Sequence, residues 1–156
     1  LNADYFKDRE FYDSLAEKVI YTGPIDKFFD YKHGELDYRS LTWETKKLDK
    51  DNFQGVPVVN YTDSEIPFTR ILEHKWFDHQ NQKGSIISLE YPQDYTGDNE
   101  PYYPVRDEEN VMKYQQYKSL ADNSEKYIFG GRLGTYNYYD MHQVVAQALT
   151  TVQKLL

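Results

Sequence analysis

The sequence predicts an α+β fold: a mostly antiparallel sheet of about six strands with a few helices, closed by a C-terminal strand-helix unit. Short apolar and aromatic runs follow one another with polar turn clusters between them, DKDNFQG, DSEIP and DHQNQKG, and without a helix between each pair, which is the pattern of strands joined by hairpins. Helical spacing is confined to a short N-terminal stretch and two later segments, the last reaching the C-terminus. The 16 tyrosines suit half-buried sheet positions, since a phenol has an apolar face and a polar tip.

In order along the chain, Phe11, Leu15 and Ala16 in DREFYDSLAEK give a short helical face, and KVIYTG from Lys18 to Gly23 reads as a buried strand ended by Gly-Pro. Leu36 to Leu48 alternates long enough for a second strand, with Asp37, Arg39, Leu41 and Trp43 on one face. Val56 to Tyr61, Thr69 to Phe77, Ser85 to Tyr91 and Lys126 to Phe129 supply four more. A helix from about Asp107 to Ala121 carries Val111, Tyr114, Tyr117 and Ala121 on one stripe, with Asp107 as N-cap. The C-terminal helix has Met141, Val144, Val145, Ala148, Leu149, Val152, Leu155 and Leu156 on one face; Asp140 is its natural N-cap, and Gln143 completes a capping-box pattern.

Composition bounds the partners. A length of 156 residues fits one domain. A net charge of -8 argues against a general nucleic-acid or anionic-membrane surface, which needs a Lys/Arg excess, so a bound phosphate has to be held by a few placed cations. The absence of Cys excludes disulfides, thiolate catalysis and Cys-zinc sites. With no apolar run near the roughly 20 residues of a membrane span and no leader pattern after Leu1, a cytoplasmic protein is expected. His33, His74, His79 and His142 show no ligand spacing, so no metal is expected. A first residue other than Met suggests a piece of a longer protein.

Polar residues set inside apolar or aromatic runs are the candidates for chemistry: Arg39 in DYRSL, Asn60 in VPVVNYT, Arg70 in PFTRILEHK, Glu90 in SLEYP, and Tyr102 and Tyr103 in EPYYPV. Each arginine alone fits a structural ion pair, with Glu90 and Arg39 as one pairing. Several together with tyrosines would grip a diphosphate through guanidinium forks and phenol donors. The stretch GGRLGTYNYYDM, Gly130 to Met141, lies between a strand and a helix. Its glycines either let a ligand lie on bare backbone near a helix N-terminus or make a tight corner.

YTGPIDKFFDYKHGELDYRSLTWET, VVNYTDSEIPFTRILEHK, EPYYPV and IFGGRLGTYNYYDM, in this order and with these intervals, closely resemble the C-terminal part of the bacterial UDP-galactopyranose mutases, and the resemblance runs over essentially the whole chain. It implies a fragment of a flavoenzyme that interconverts UDP-galactopyranose and UDP-galactofuranose for galactofuranose-containing cell-surface glycans, through an adduct between flavin N5 and the sugar. The N-terminal Rossmann half with its G-x-G-x-x-G turn is absent from this chain. Residues 1–125 would be the substrate region, and residues 126–156 would close the FAD-binding domain.

By that resemblance no side chain is the nucleophile; the reduced FAD is. Arg70 falls on an arginine that grips the diphosphate, Tyr103 and Tyr138 on tyrosines that donate to it, and Asn60 and Arg39 on further substrate-side residues. Gly131, Arg132, Asp140 and Met141 fall at the flavin. The fragment alone is expected to be inactive and not to retain FAD, and its C-terminal helix, deprived of neighbours, to favour a homodimer. Two other classes stay open: a cofactor-free nucleotide-sugar-binding module, and a structural or oligomerising domain.

Overall fold

A computed structural model describes residues 3–78 and 83–155. The strands are β1 (Val19–Tyr21), β2 (Tyr38–Leu48), β3 (Val58–Asn60), β4 (Arg70–Glu73), β5 (Ser85–Asp94), β6 (Tyr103–Pro104) and β7 (Tyr127–Phe129). The α-helices are α1 (Arg9–Ser14), α2 (Ile25–Phe28), α3 (Glu108–Asp122), α4 (Gly131–Gly134) and α5 (Met141–Leu155). Two compact units divide the chain: Arg39–Tyr102, and the segments up to Tyr38 and from Tyr103 onward. The expected turn residues 79–82, with His79, and the expected helical Leu156 lie outside the described residues.

In the Arg39–Tyr102 unit, β2 and β5 form a long antiparallel ladder running from Arg39 opposite Asp94 to Leu48 opposite Ser85. β4 pairs with the other side of β5, and β3 lies outside β4. Within this unit the order is β3-β4-β5-β2, in agreement with the mostly antiparallel expectation. Because successive side chains alternate across a strand, one face gathers Ile71, Ile87 and Leu89 into a buried cluster with Leu48, Tyr61, Phe68 and Tyr91 around it. The opposite face is mixed, carrying Asn60, Arg70, Ser88 and Glu90 together with Val58, Leu72, Ile86 and Trp43.

The predicted strand from Thr69 to Phe77 is cut short. β4 stops at Glu73, and His74–Trp76 coil into a 3-10 turn that brings His74 Nε2 to 2.8 Å from the Ser88 hydroxyl. Glu73 is fully buried and its carboxylate collects the loop at 53–55 that precedes β3: Phe53 N-H and the Ser85 hydroxyl donate to Oε1 at 2.9 and 2.6 Å, and Gln54 and Gly55 N-H donate to Oε2 at 2.8 and 3.3 Å. Burial alone would raise this carboxyl's pKa; the hydrogen bonds from Ser85, Gln54 and Phe53 overcome it and hold the group at about 2.

In the other unit, β1 is paired with β7, parallel and in register from Val19–Tyr127 to Tyr21–Phe129. This corrects the burial expected of the Lys18–Gly23 strand: a two-stranded sheet packed on one side leaves Ile20 exposed. Phe28 is the centre of the packed side, with the rings of Tyr21, Tyr127 and Phe129 at 4.8 Å each and the Arg9 guanidinium 4.2 Å above its face. The tyrosine richness finds much of its physical reason here and around α3, where rings pack and hydroxyls satisfy buried backbone. Tyr117, fully buried, donates to Gly34 O at 2.7 Å and accepts from His33 N-H at 2.9 Å. Asp107 caps α3, its carboxylate accepting from Asn110 N-H, as expected.

The glycine-rich corner follows β7. Gly131 has φ +71°, a left-handed conformation that costs an L side chain about 1–2 kcal/mol. Gly134 is buried against β1's end: a Cβ there would stand 3.0 Å from Tyr21 O. These two glycines therefore make a tight corner that seats the one-turn helix α4 on β1. Gly134→Ala should lower the unfolding free energy by about 1–3 kcal/mol through overpacking, read as a shifted urea midpoint; an unchanged midpoint would mean that β1 yields without cost.

α5 runs from Met141 to Leu155 with no buried residue, and Met141, Val145, Leu149, Val152 and Leu155 stand exposed on it. Its capping box is half made. The Gln143 side chain accepts from Asp140 N-H at 2.8 Å, while no hydrogen bond is made by the Asp140 carboxylate among the described residues, contrary to the cap expected of it.

Candidate functional site

In the Arg39–Tyr102 unit the strand registers put candidate residues in one transverse row. Asn60 is opposite Arg70, Arg70 is opposite Glu90, and Glu90 is opposite Trp43. Residues directly opposite one another point to the same face, and this face is the one turned away from the Ile71–Ile87–Leu89 cluster. Asn60 is exposed and Arg70 is partly open, its side chain 38% accessible, whereas Glu90 is buried.

Arg70 Nε lies 2.9 Å from Glu90 Oε1, off the N-H direction, so the contact is an ion pair rather than an aligned hydrogen bond. Thr69 supplies the aligned donor, its hydroxyl 2.7 Å from the same Oε1. The expected pairing of Glu90 with Arg39 is overturned. Arg39 sits opposite Asp94, four residues along the β5 ladder from Glu90, or about 13 Å at the usual rise per residue, and it bonds Asp94 Oδ1 at 3.0 Å. Both partners of that pair are largely exposed, so it contributes little.

In the other unit, the rings of Tyr103 and Tyr138 stack at 5.2 Å with 26° between planes. Arg132 extends from α4 so that its guanidinium carbon lies 5.0 Å from the Tyr103 centroid and 5.2 Å from the Tyr138 centroid. The arginine is fixed from behind by Nε donating to Tyr139 O at 2.6 Å. A cation over two phenols gives a surface that offers positive charge and hydroxyls together.

Residues that sequence reasoning passed over hold this cluster. Tyr136 is buried with φ +48°, and its hydroxyl donates to Asp37 O and Val105 O at 2.6 and 2.7 Å. Burial, and then the nearby Asp37 charge, push its pKa far up, so it stays a neutral donor. Asn137 donates from its side chain to Thr135 O and the Tyr139 hydroxyl and accepts from Arg106. Gln147, reaching back from α5, accepts from Gly131 N-H at 3.0 Å and donates to the Tyr139 hydroxyl at 3.4 Å. No sequence signal marked it, because it lies on the polar side of the last helix with Gln143, Thr150, Thr151 and Lys154.

The expected flavin-side residues fit a flat ring system in part. A Cβ at Gly130 would meet nothing within 4 Å, so open backbone lies beside Arg132, and Met141 is 85% exposed at the start of α5. Gly130, Gly131 and Asp140 N-H are taken by Tyr21 O, Gln147 and Gln143, which leaves Arg132, Met141 and the open side of Gly130 as the accessible contacts. Among the described residues, no group of three or more His, Cys, Asp or Glu side chains could hold a metal ion, and no helix is long and apolar enough to cross a membrane.

The sequence model of the family described as UDP-galactopyranose mutase matches residues 1–138. A probable UDP-galactopyranose mutase of Klebsiella pneumoniae is 40% identical over 139 residues, covering 88% of this chain and 36% of the relative. A dTDP-fucopyranose mutase of Escherichia coli is 36% identical over 136 residues, covering 86% and 36%. A UDP-galactopyranose mutase of Mycoplasma genitalium is 35% identical over 153 residues, covering 94% and 38%. The chain thus spans little more than a third of the length of these curated relatives. With a match over residues 1–138, the chain belongs to the UDP-galactopyranose mutase family.

Proposed function

We propose that this chain serves as the substrate-region and C-terminal part of a longer flavin-dependent mutase that interconverts UDP-galactopyranose and UDP-galactofuranose, a sugar supply for cell-surface glycans. The observation that carries the reading is the Tyr103–Tyr138 stack with Arg132 over both rings, on residues matched to the family. FAD, bound in its reduced form, supplies the nucleophile for the sugar's anomeric carbon, so the protein's own work is to hold a leaving diphosphate and orient the sugar.

Arg70 is suited to the diphosphate because its guanidinium meets Glu90 at Nε and its side chain stays 38% accessible. Tyr103 and Tyr138 would donate phenol hydrogens to the same kind of group, and Asn60, opposite Arg70, would offer an amide to a sugar or ribose hydroxyl. Arg39, closed on Asp94, would act at longer range. Arg132 and Met141, with the Gly130 backbone, would contact the isoalloxazine edge. Donors aimed at charge that grows as the diphosphate departs stabilise the transition state more than the ground state.

The test is turnover of UDP-galactofuranose by the dithionite-reduced full-length gene product, followed by chromatography. Conversion to UDP-galactopyranose is expected; a flavin-loaded protein without turnover would overturn the reading. The Escherichia coli relative favours dTDP-fucopyranose as a second substrate to offer in the same assay, and preference for it would move the assignment to that sugar. The isolated chain is expected to purify colourless. A flavin absorption band that survives gel filtration would show that these residues alone suffice to retain the cofactor.

A further inference from the structure

The sheet row contains a buried charge for which the substrate-binding reading has no use. Glu90 is 3% exposed, yet it is not folded into a network of its own: its side chain receives the Thr69 hydroxyl at 2.7 Å and faces Arg70 Nε at 2.9 Å. Among the described residues no other ion pair or hydrogen bond reaches the Arg70 guanidinium, whose side chain stays 38% accessible. A buried ion pair is a poor stabiliser, because desolvating the carboxylate offsets most of the attraction and an apolar pair of similar volume does as well. The geometry instead has a directional consequence. The contact is electrostatic rather than an aligned hydrogen bond: the carboxylate draws the Nε side of the guanidinium toward Glu90 and leaves the outer nitrogens, the edge that matches two phosphate oxygens, without a protein partner among the described residues.

We propose that Glu90 is a positioning residue: it holds Arg70 in the orientation in which its free edge receives a nucleoside diphosphate, and Thr69 holds Glu90. This rests on the mutase reading of Arg70. The carboxylate also offsets the charge of Arg70 in the empty state, so the exposed guanidinium is kept oriented by a covalently tethered partner rather than by whatever anion is in solution. Asn60, on the far side of Arg70 in the same row, is left to a neutral part of the ligand.

The experiment measures UDP affinity by calorimetry in the full-length gene product, with flavin content and unfolding midpoint recorded for each variant. Arg70→Lys, which keeps charge and loses the fork, should weaken UDP binding about tenfold or more. Glu90→Gln, of the same shape, should weaken it about tenfold, and Thr69→Val about threefold. In the Arg70→Lys background, Glu90→Gln should add less than about twofold, since the two act as a unit. If Arg70→Lys weakens binding while Glu90→Gln and Thr69→Val leave it unchanged or tighten it, Glu90 is only a structural counterion and the proposal falls alone. If Arg70→Lys has no effect, the reading of Arg70 falls with it. Should Glu90→Gln fail to fold, Thr69→Val decides the outcome.

Discussion

Arg70→Ala in the full-length gene product is expected to reduce mutase turnover roughly 30-fold to 1000-fold with flavin content unchanged, the consequence of losing a charge-assisted contact worth about 2 to 4 kcal/mol in the transition state. The structure adds a second effect that has to be separated from the first. With Arg70 gone, the buried Glu90 carboxylate loses its counterion and keeps only the Thr69 hydroxyl. Orphaning a buried charge costs up to about 3–5 kcal/mol, and the partly open setting of Arg70 places this case toward the lower end. Arg70→Ala should therefore also lower the unfolding midpoint. The Arg70→Ala/Glu90→Gln double variant removes the orphaned charge, so it should recover most of the midpoint and none of the turnover. Tyr103→Phe and Tyr138→Phe should cost less than Arg70→Ala, each deleting one neutral donor while the stacked rings stay in place. Arg132→Ala should act on the flavin rather than on the diphosphate, loosening the cofactor or shifting its redox behaviour. Turnover of the dithionite-reduced variants, with flavin absorbance and thermal unfolding alongside, separates these outcomes. Near-normal turnover for Arg70→Ala would make that arginine a structural ion-pair residue.

Elements whose signals are local were legible in the sequence. Asp107 and the stripe after it give α3 nearly to the residue, since a cap and a helical period are properties of a few neighbouring side chains. The apolar spacing from Met141 gives α5 in the same way, although that spacing says nothing of what covers the face. Elements made by distant contacts were not legible. β6 is only two residues, the second a proline, and α4 is one turn of a glycine-rich segment, so both owe their conformation to the chain against which they rest. β1 finds its parallel partner more than 100 residues away, a pairing that no alternation pattern encodes. The candidate site divides along the same line. The types of residue that bind a diphosphate could be picked out one by one as polar intrusions in apolar runs. The Arg70–Glu90 partnership could not, because it depends on the register of β4 on β5, and a shift of one residue sends every side chain to the opposite face. Tyr136 was passed over because nothing local marks a tyrosine in a left-handed conformation.

The largest expected effect on stability is at Glu73, three residues along β4 from Arg70 and on the other face of the sheet. Its carboxylate accepts from three consecutive backbone N-H groups, Phe53, Gln54 and Gly55, and from the Ser85 hydroxyl, and is fully buried. A Gln at this position keeps the shape but replaces one acceptor oxygen with an NH2 facing backbone donors, so at least one buried donor loses its partner. A carboxyl held at about 2 instead of its ordinary 4.5 corresponds to about 3 kcal/mol of stability by linkage. Because the folded pKa is depressed, that contribution is fully present above about 4.5 and is lost as pH falls toward 2. Glu73→Gln should therefore be about 3 kcal/mol less stable than the parent at pH 7, with the gap narrowing steadily between pH 4.5 and pH 2 as the parent carboxyl protonates. Urea unfolding at pH 7 and pH 3 measures both quantities. A gap of the same size at the two pH values would mean that the cost is one of packing, and that the charge of Glu73 is not what gathers the 53–55 loop.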